Sequence, residues 1–343
     1  MIMKKICFCE ILKIIFFNAL IFFGLTISAQ DISFSQFYSN PLYLNPSFAG
    51  TAGVPRIALQ YRDQWHSFSN AFNTYSLAVD FPVKKIQGGL GFYVLKDCQG
   101  ENSFNLSQFD AAWSVNLRVS ENFFLRGAVQ GGIHQYSLNP GKLVFPDNVD
   151  AVYGHHGVSR ELEFLSDTHY SFADFSTGLL LYSKKYFAGL AVHHIAEPRQ
   201  SFYSSDNNGG KLDRKFTAHF GARLPVFLYG HQRKKFDISP QMVMQHQGAF
   251  SQINYGILAT KWGFTVGTWF RQNPGIRYDA VIFLAGFMKK TWQLTYTYDI
   301  SVSGLWGESG GSSEISLVFL FREIDRGRYL PFYNFYEDEF GVD

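Results

Sequence analysis

The chain has 343 residues, a formal charge of +2 and 18% aromatics, 36 Phe and 19 Tyr among them, yet a mean hydropathy of only −0.07. So small a charge gives no reason to expect nucleic acid or an acidic substrate as a partner. A soluble protein would have to bury most of these aromatics, whereas a membrane β-barrel can turn them to lipid while a polar lumen keeps hydropathy low.

In chain order, residues 1–29 read as a signal peptide. Lys4 and Lys5 give the positive start, Ile14 to Ile27 the apolar run, and Ser28 and Ala29 the small residues before cleavage at Gln30. Ile27 is an imperfect fit to the small-x-small rule. The run is shorter than the roughly 20 residues of a membrane helix, and no later stretch is long and apolar enough to be one. Cys7 and Cys9 leave with the signal, so Cys98 is the only cysteine of the mature chain. That excludes a disulfide framework and a cysteine-based zinc site.

Residues 30–55 do not alternate. Asn40-Pro41 and Asn45-Pro46 are turn formers whose prolines cannot donate to a strand ladder. Together with Phe34, Phe37, Tyr38, Tyr43 and Phe48 they suit a compact element. Two placements are open: a plug-like or strand-linking element in a barrel lumen, or an ordered periplasmic lead-in to the first strand. Phe34, Phe37, Tyr38, Asn40, Pro41, Asn45 and Pro46 are the candidate luminal residues.

From residue 56 onward the period is two. Tyr75, Leu77, Val79 and Phe81 oppose Ser76, Ala78 and Asp80; Phe109, Ala111, Trp113, Val115 and Leu117 oppose Asp110, Ala112, Ser114, Asn116 and Arg118. Phe216, Ala218, Phe220, Ala222 and Leu224 oppose Lys215, Thr217, His219, Gly221 and Arg223. Trp292 to Ile300 and Ile315 to Phe321 repeat the pattern. No long window repeats at the helical period. A soluble β-sandwich gives the same alternation with its apolar face in the core. The segments here run about 9–12 residues, the length that crosses a bilayer at a tilt, against roughly 5–6 for typical strands.

Strands are expected near 56–62, 74–82, 87–95, 104–118, 122–134, 171–183, 186–195, 212–227, 235–247, 249–260, 262–271, 277–288, 290–300 and 312–322. That makes an all-β, closed antiparallel transmembrane barrel over residues 56–322, with about 14 strands and a wet lumen. Tight links such as Pro82–Ile86, Ser183–Lys185 and Lys261–Trp262 alternate with longer ones at Ser137–Tyr170, Ala196–Lys211 and Ser301–Gly311. Short periplasmic turns and longer outer loops are the asymmetry of an outer-membrane barrel. The link near Gln247 is short for an outer one, and Leu228–Lys235 long for a periplasmic one. The last strand carries Phe319 and Phe321 as an assembly signal, and residues 323–343 form a periplasmic tail or fold back into the barrel mouth.

Lys84, Lys85, Lys184, Lys185, Lys234, Lys235, Lys289 and Lys290 all fall at periplasmic links. They are either solvated turn chemistry or a basic rim that meets an acidic partner or the acidic tail. No metal, cofactor or catalytic set stands out. His193 and His194, adjacent on a strand, should face opposite sides and cannot readily chelate one ion. His155 and His156 lie in a loop without accompanying ligands, and no G-x-S-x-G elbow is present.

Residues 31–51, Asp-Ile-Ser-Phe-Ser-Gln-Phe-Tyr-Ser-Asn-Pro-Leu-Tyr-Leu-Asn-Pro-Ser-Phe-Ala-Gly-Thr, resemble the opening of the PorP/SprF family of the Bacteroidetes type IX secretion system. The likeness continues through Arg62-Asp-Gln-Trp65, the Tyr75–Phe81 strand and Leu138-Asn-Pro-Gly-Lys-Leu-Val-Phe145, and extends from Gln30 to about Arg322. It implies an outer-membrane barrel without catalytic activity. It further implies a role in secreting or retaining surface proteins, gliding adhesins included, that carry a type B C-terminal sorting domain. Membrane lipid and a periplasmic peptidoglycan-associated protein are the other implied partners. A transport barrel for a hydrophobic or small solute is the alternative from a different class, and the opening motif favours the first.

Overall fold

The computed structural model describes residues 31–67, 72–143, 145, 147, 149–150, 154–155, 159, 168–200, 202, 210–227, 234–273, 277–289, 291–302 and 310–321. The described residues from Ile32 onward belong to one compact unit. The expected signal peptide and the tail lie outside the described residues, as do His156 and Lys290. No helix among the described residues is long and apolar enough to cross a membrane. The crossing is done by strands.

The alternating segments form fourteen antiparallel strands. These are β1 (Arg56–Gln64), β2 (Phe72–Val83), β3 (Gly88–Gln99), β4 (Phe104–Arg118), β5 (Phe124–Leu138), β6 (His169–Tyr182) and β7 (Tyr186–His193). The second half holds β8 (Lys215–Ala222, continued by Leu224–Phe227), β9 (Lys234–Gln247), β10 (Phe250–Lys261), β11 (Phe264–Asn273), β12 (Arg277–Lys289), β13 (Trp292–Ser301) and β14 (Ser312–Leu320). Each strand pairs with the next in the chain, and the ladder Arg56↔Leu320 through Gln64↔Ser312 joins first to last. The sheet is a closed ring, which leaves no edge to be satisfied in lipid.

The two faces sort as the pleat requires. On β4, Phe109, Trp113 and Leu117 are exposed while Asp110, Ala112 and Ser114 between them are buried. On β8, Phe216 and Phe220 are exposed and Lys215, Thr217 and His219 buried; on β14, Ile315 and Phe319 are exposed and Glu314 and Ser316 buried. Exposed apolar side chains recur on strand after strand, far beyond what a soluble monomer shows to water. Such a belt is stable only against hydrocarbon, so the outside faces lipid and the polar face turns inward.

Two details depart from the sequence expectation, and one short link matches it. The span 212–227 is interrupted at Arg223, whose N–H donates to the Lys185 carbonyl and whose guanidinium pairs with Asp237. The short outer link after β9 is a two-residue turn, with Gly248 in the left-handed region at φ 54°. The strand expected to reach residue 195 ends at His193, because His194 adopts φ 56° and turns its ring inward, so His193 and His194 are both buried.

Candidate functional site

The interior is occupied by the chain's own segment between Ile32 and Val54. Its prolines open turns rather than strands. Pro41 opens a one-turn helix, α1 (Pro41–Leu44), and Pro46 opens a 3-10 turn to Phe48. Both stand in the first turn, where a missing N–H leaves nothing unsatisfied. The Asn45 side chain accepts from the Ser47 N–H at 2.9 Å and joins the two turns. This folding sends the apolar side chains outward to the barrel wall. Phe37, Leu44 and Phe48 pack with Leu180, Tyr182, Phe187, Val243, Trp269 and Ile282; Phe34, Leu42 and Ala49 pack with Tyr93, Leu95 and Leu106. The lumen is therefore drier than the wet interior expected, because inward-facing apolar residues have partners on the segment.

Polar anchors fix the segment at three places. Glu314 accepts from the backbone N–H groups of Ser35 (2.8 Å) and Gln36 (3.0 Å) and from the Gln60 side chain. Arg62 reaches Glu314 at 3.1 Å and Asp299 at 3.4 Å and donates to Ser35 Oγ at 2.8 Å, while Arg271 donates to the same Oγ at 3.0 Å. In the middle, Asn45 Nδ2 donates to the carbonyls of Leu179 and Leu190, each at 3.1 Å, and lies 3.1 Å from His219 Nε2. A Cβ on Gly178 would sit 2.0 Å from Asn45 Oδ1, so this close approach needs glycine. At the third place the Gly50 N–H donates to Asp80, itself paired with Arg56 at 2.7 Å. There the Ala49 carbonyl also accepts from Ser114 and Arg126. The anchors come from β1, β2, β4, β5, β6, β7, β8, β11, β13 and β14, on all sides of the ring. The segment lies inside it.

Of the residues singled out in the sequence, Phe34, Phe37, Asn40, Pro41, Asn45 and Pro46 are buried here. Tyr38 is enclosed by Phe48, Phe187 and His219, and burial raises its phenol well above the usual range, keeping it neutral. The sequence reading missed Ser35, Gln36 and the inward charges that hold them. Arg62, Asp80, Asp299 and Glu314 are charged residues in the middle of alternating strands, and that placement was the available signal. Two cavities against the segment are small: about 60 Å³ beside Phe37, Leu258 and Trp269, and about 10 Å³ beside Phe34, Asn40 and Gln245.

The lysines are placed elsewhere. Lys84 and Lys85 are exposed in the β2–β3 turn, Lys184 and Lys185 in the β6–β7 turn, and Lys289 at the end of β12. Alternating strand direction puts these turns at one end of the barrel, with Pro55 and Phe321. Lys234 and Lys235 open β9, but their side chains, like that of His155, lie outside the described residues. At the opposite end, Phe104, Tyr136, Tyr170, Phe172 and Phe202 stack at the bases of the long links.

No curated protein matches the chain. Among solved structures it is similar to the toluene transporter TbuX of Ralstonia pickettii, at 12% identity over 87% of this chain and 96% of that one, with a TM-score of 0.45. It is also similar to the KdgM porin, at 9% identity over 78% and 99% with a TM-score of 0.32. A ferric enterobactin receptor mutant (PfeA) of Pseudomonas aeruginosa matches at 10% over 73% and 44%, TM-score 0.36. Likenesses this distant say nothing of what the chain carries. The family model for the type IX secretion system membrane protein PorP/SprF, by contrast, matches residues 26–319. That match takes in the luminal segment together with nearly the whole lipid-facing barrel, and the chain accordingly belongs to the PorP/SprF family of type IX secretion membrane proteins, seated in the outer membrane.

Proposed function

We propose that this barrel is a non-enzymatic docking component of the type IX system, exported by the signal at residues 1–29. Its task is to secrete or anchor one cell-surface protein bearing a type B C-terminal sorting domain. The observation that carries this reading is the occupied lumen. A channel for polar solutes needs a continuous wet path, and here three sets of polar anchors and two apolar clusters hold the chain's own residues across the interior. The segment acts as a plug, which leaves recognition to the outer surface. The link between Leu138 and His169 is the longest available there, and loops on a rigid scaffold are where specificity resides. Deleting residues 139–167 is expected to leave the barrel inserted while a surface protein bearing a type B C-terminal sorting domain disappears from the cell exterior. Undiminished surface labelling of that protein would reject the reading.

The lysines at the opposite end form a basic periplasmic rim for a peptidoglycan-associated partner with an acidic face. Exchanging Lys84, Lys85, Lys184 and Lys185 for Glu is expected to weaken pull-down of that partner several-fold at low salt and less at high salt, where exposed charges are screened. Equal recovery at both salt concentrations would show the rim to be ordinary solvated turns.

A further inference from the structure

Four buried ionisable side chains converge where β4, β5 and β6 meet the end of β7. Asp110, His134, Asp174 and His194 are 4%, 4%, 2% and 3% exposed. Asp110 and Asp174 both stand in register with Gly132, one on each side. A Cβ at Gly132 would fall 2.0 Å from Asp110 Oδ1, so glycine leaves the room that the Asp110 carboxylate occupies. His134, two residues further along that face, holds Nε2 3.2 Å from Asp110 Oδ1. His194 Nδ1 lies 3.0 Å from Asp174 Oδ2.

One nitrogen or oxygen from each of His134, Asp174 and His194 lies within 4.8 Å of the others. Ligand atoms about 2.0–2.1 Å from a tetrahedral zinc are roughly 3.3 Å apart, so small rotamer changes close the set. Charge points the same way. Two carboxylates buried this deeply offer anionic oxygens that a divalent cation complements. Asp174 Oδ1 has no hydrogen-bond partner among the described residues. His194 enters the cluster only by taking the left-handed backbone at φ 56°, a costly conformation for a residue other than glycine. The strand rule that sends adjacent histidines to opposite faces fails at this residue, and its partners come from other strands rather than from His193.

We propose that His134, Asp174 and His194 bind a first-row divalent transition metal, zinc foremost, with Asp110 orienting the His134 ring. Imidazole and carboxylate ligands suit such ions, and a carboxylate behind a ligating histidine fixes its tautomer. His134 lies near the end of β5, Asp174 near the start of β6 and His194 just past β7. A bound ion would tie together the bases of the β5–β6 and β7–β8 links. The proposal does not rest on the docking reading.

The test is calorimetric titration of zinc into the full-length barrel, purified in detergent and stripped by chelator. Saturable binding of one zinc per chain is expected, abolished by His194→Gln or Asp174→Asn and weakened about 10–100-fold by Asp110→Asn. His246→Gln, at an exposed position on β9, should bind as the unaltered barrel does. No saturable binding, or equal binding by the two ligand variants, would overturn the site and leave two buried His–Asp pairs. If a ligand variant does not fold, as judged by heat-modifiable gel mobility, cobalt(II) titration of the unaltered barrel decides. Visible bands of a low-coordinate site support it; the spectrum of the aqueous ion alone overturns it.

Discussion

Deleting residues 31–50 is expected to turn a barrel with no resolvable conductance into one that gives discrete ion-conducting steps in a planar bilayer. The reason is the chemistry of the wall that the segment covers. Without it, Arg62, Asp80, Asp299, Glu314 and Arg126 face an unfilled interior, and a polar interior of this width fills with water, as in porins. The strands should still close, because the Arg56↔Leu320 ladder and the lipid-facing belt lie outside the deletion. Heat-modifiable mobility confirms closure. A closed variant with unchanged conductance would remove the plug from the account.

The second large effect is expected at Arg62. Its guanidinium is 2% exposed and bridges Glu314, Asp299 and Ser35 Oγ, binding β1, β13 and β14 to the luminal segment. Replacing it by Met leaves Glu314 and Asp299 buried around one remaining cation, Arg271. Breaking one side of a buried ion pair costs about 3–5 kcal/mol, and a loss of that size should appear in urea unfolding of the folded barrel. The cost should shrink in the barrel lacking residues 31–50, where water reaches the carboxylates. Such non-additivity marks residues that share one network. A loss below about 1 kcal/mol in the full-length barrel would mean the network is solvated and unimportant to stability.

Much of this architecture is legible in single strands. The alternation at Phe109–Leu117, Phe216–Leu224 and Ile315–Phe321 fixes which residues meet lipid, since a pleated strand has only two faces. The barrel and its approximate strand number follow from it. What the alternation does not carry is the identity of the partners across the lumen. Nothing local to Glu314 says that its carboxylate receives N–H groups from Ser35 and Gln36, nearly the whole chain away. Leu180, Trp269 and Ile282 face inward, where a wet lumen would want polar groups, and make sense only once Phe37 and Phe48 lie against them. Asn40-Pro41 and Asn45-Pro46 announced a compact turn but left its location open, because two Asn-Pro turns fold as well at a barrel mouth as inside it. His194 was misplaced for a different reason. The strand rule holds only while the backbone stays extended, and one residue at positive φ was enough to turn its ring to the lumen.

The docking reading is tested most directly by titrating the full-length barrel in lipid nanodiscs with an isolated type B C-terminal sorting domain. Saturable one-to-one binding that is lost when residues 139–167 are removed is the result this account predicts. A folded barrel that does not bind the domain, or binds it equally well without that segment, would contradict it.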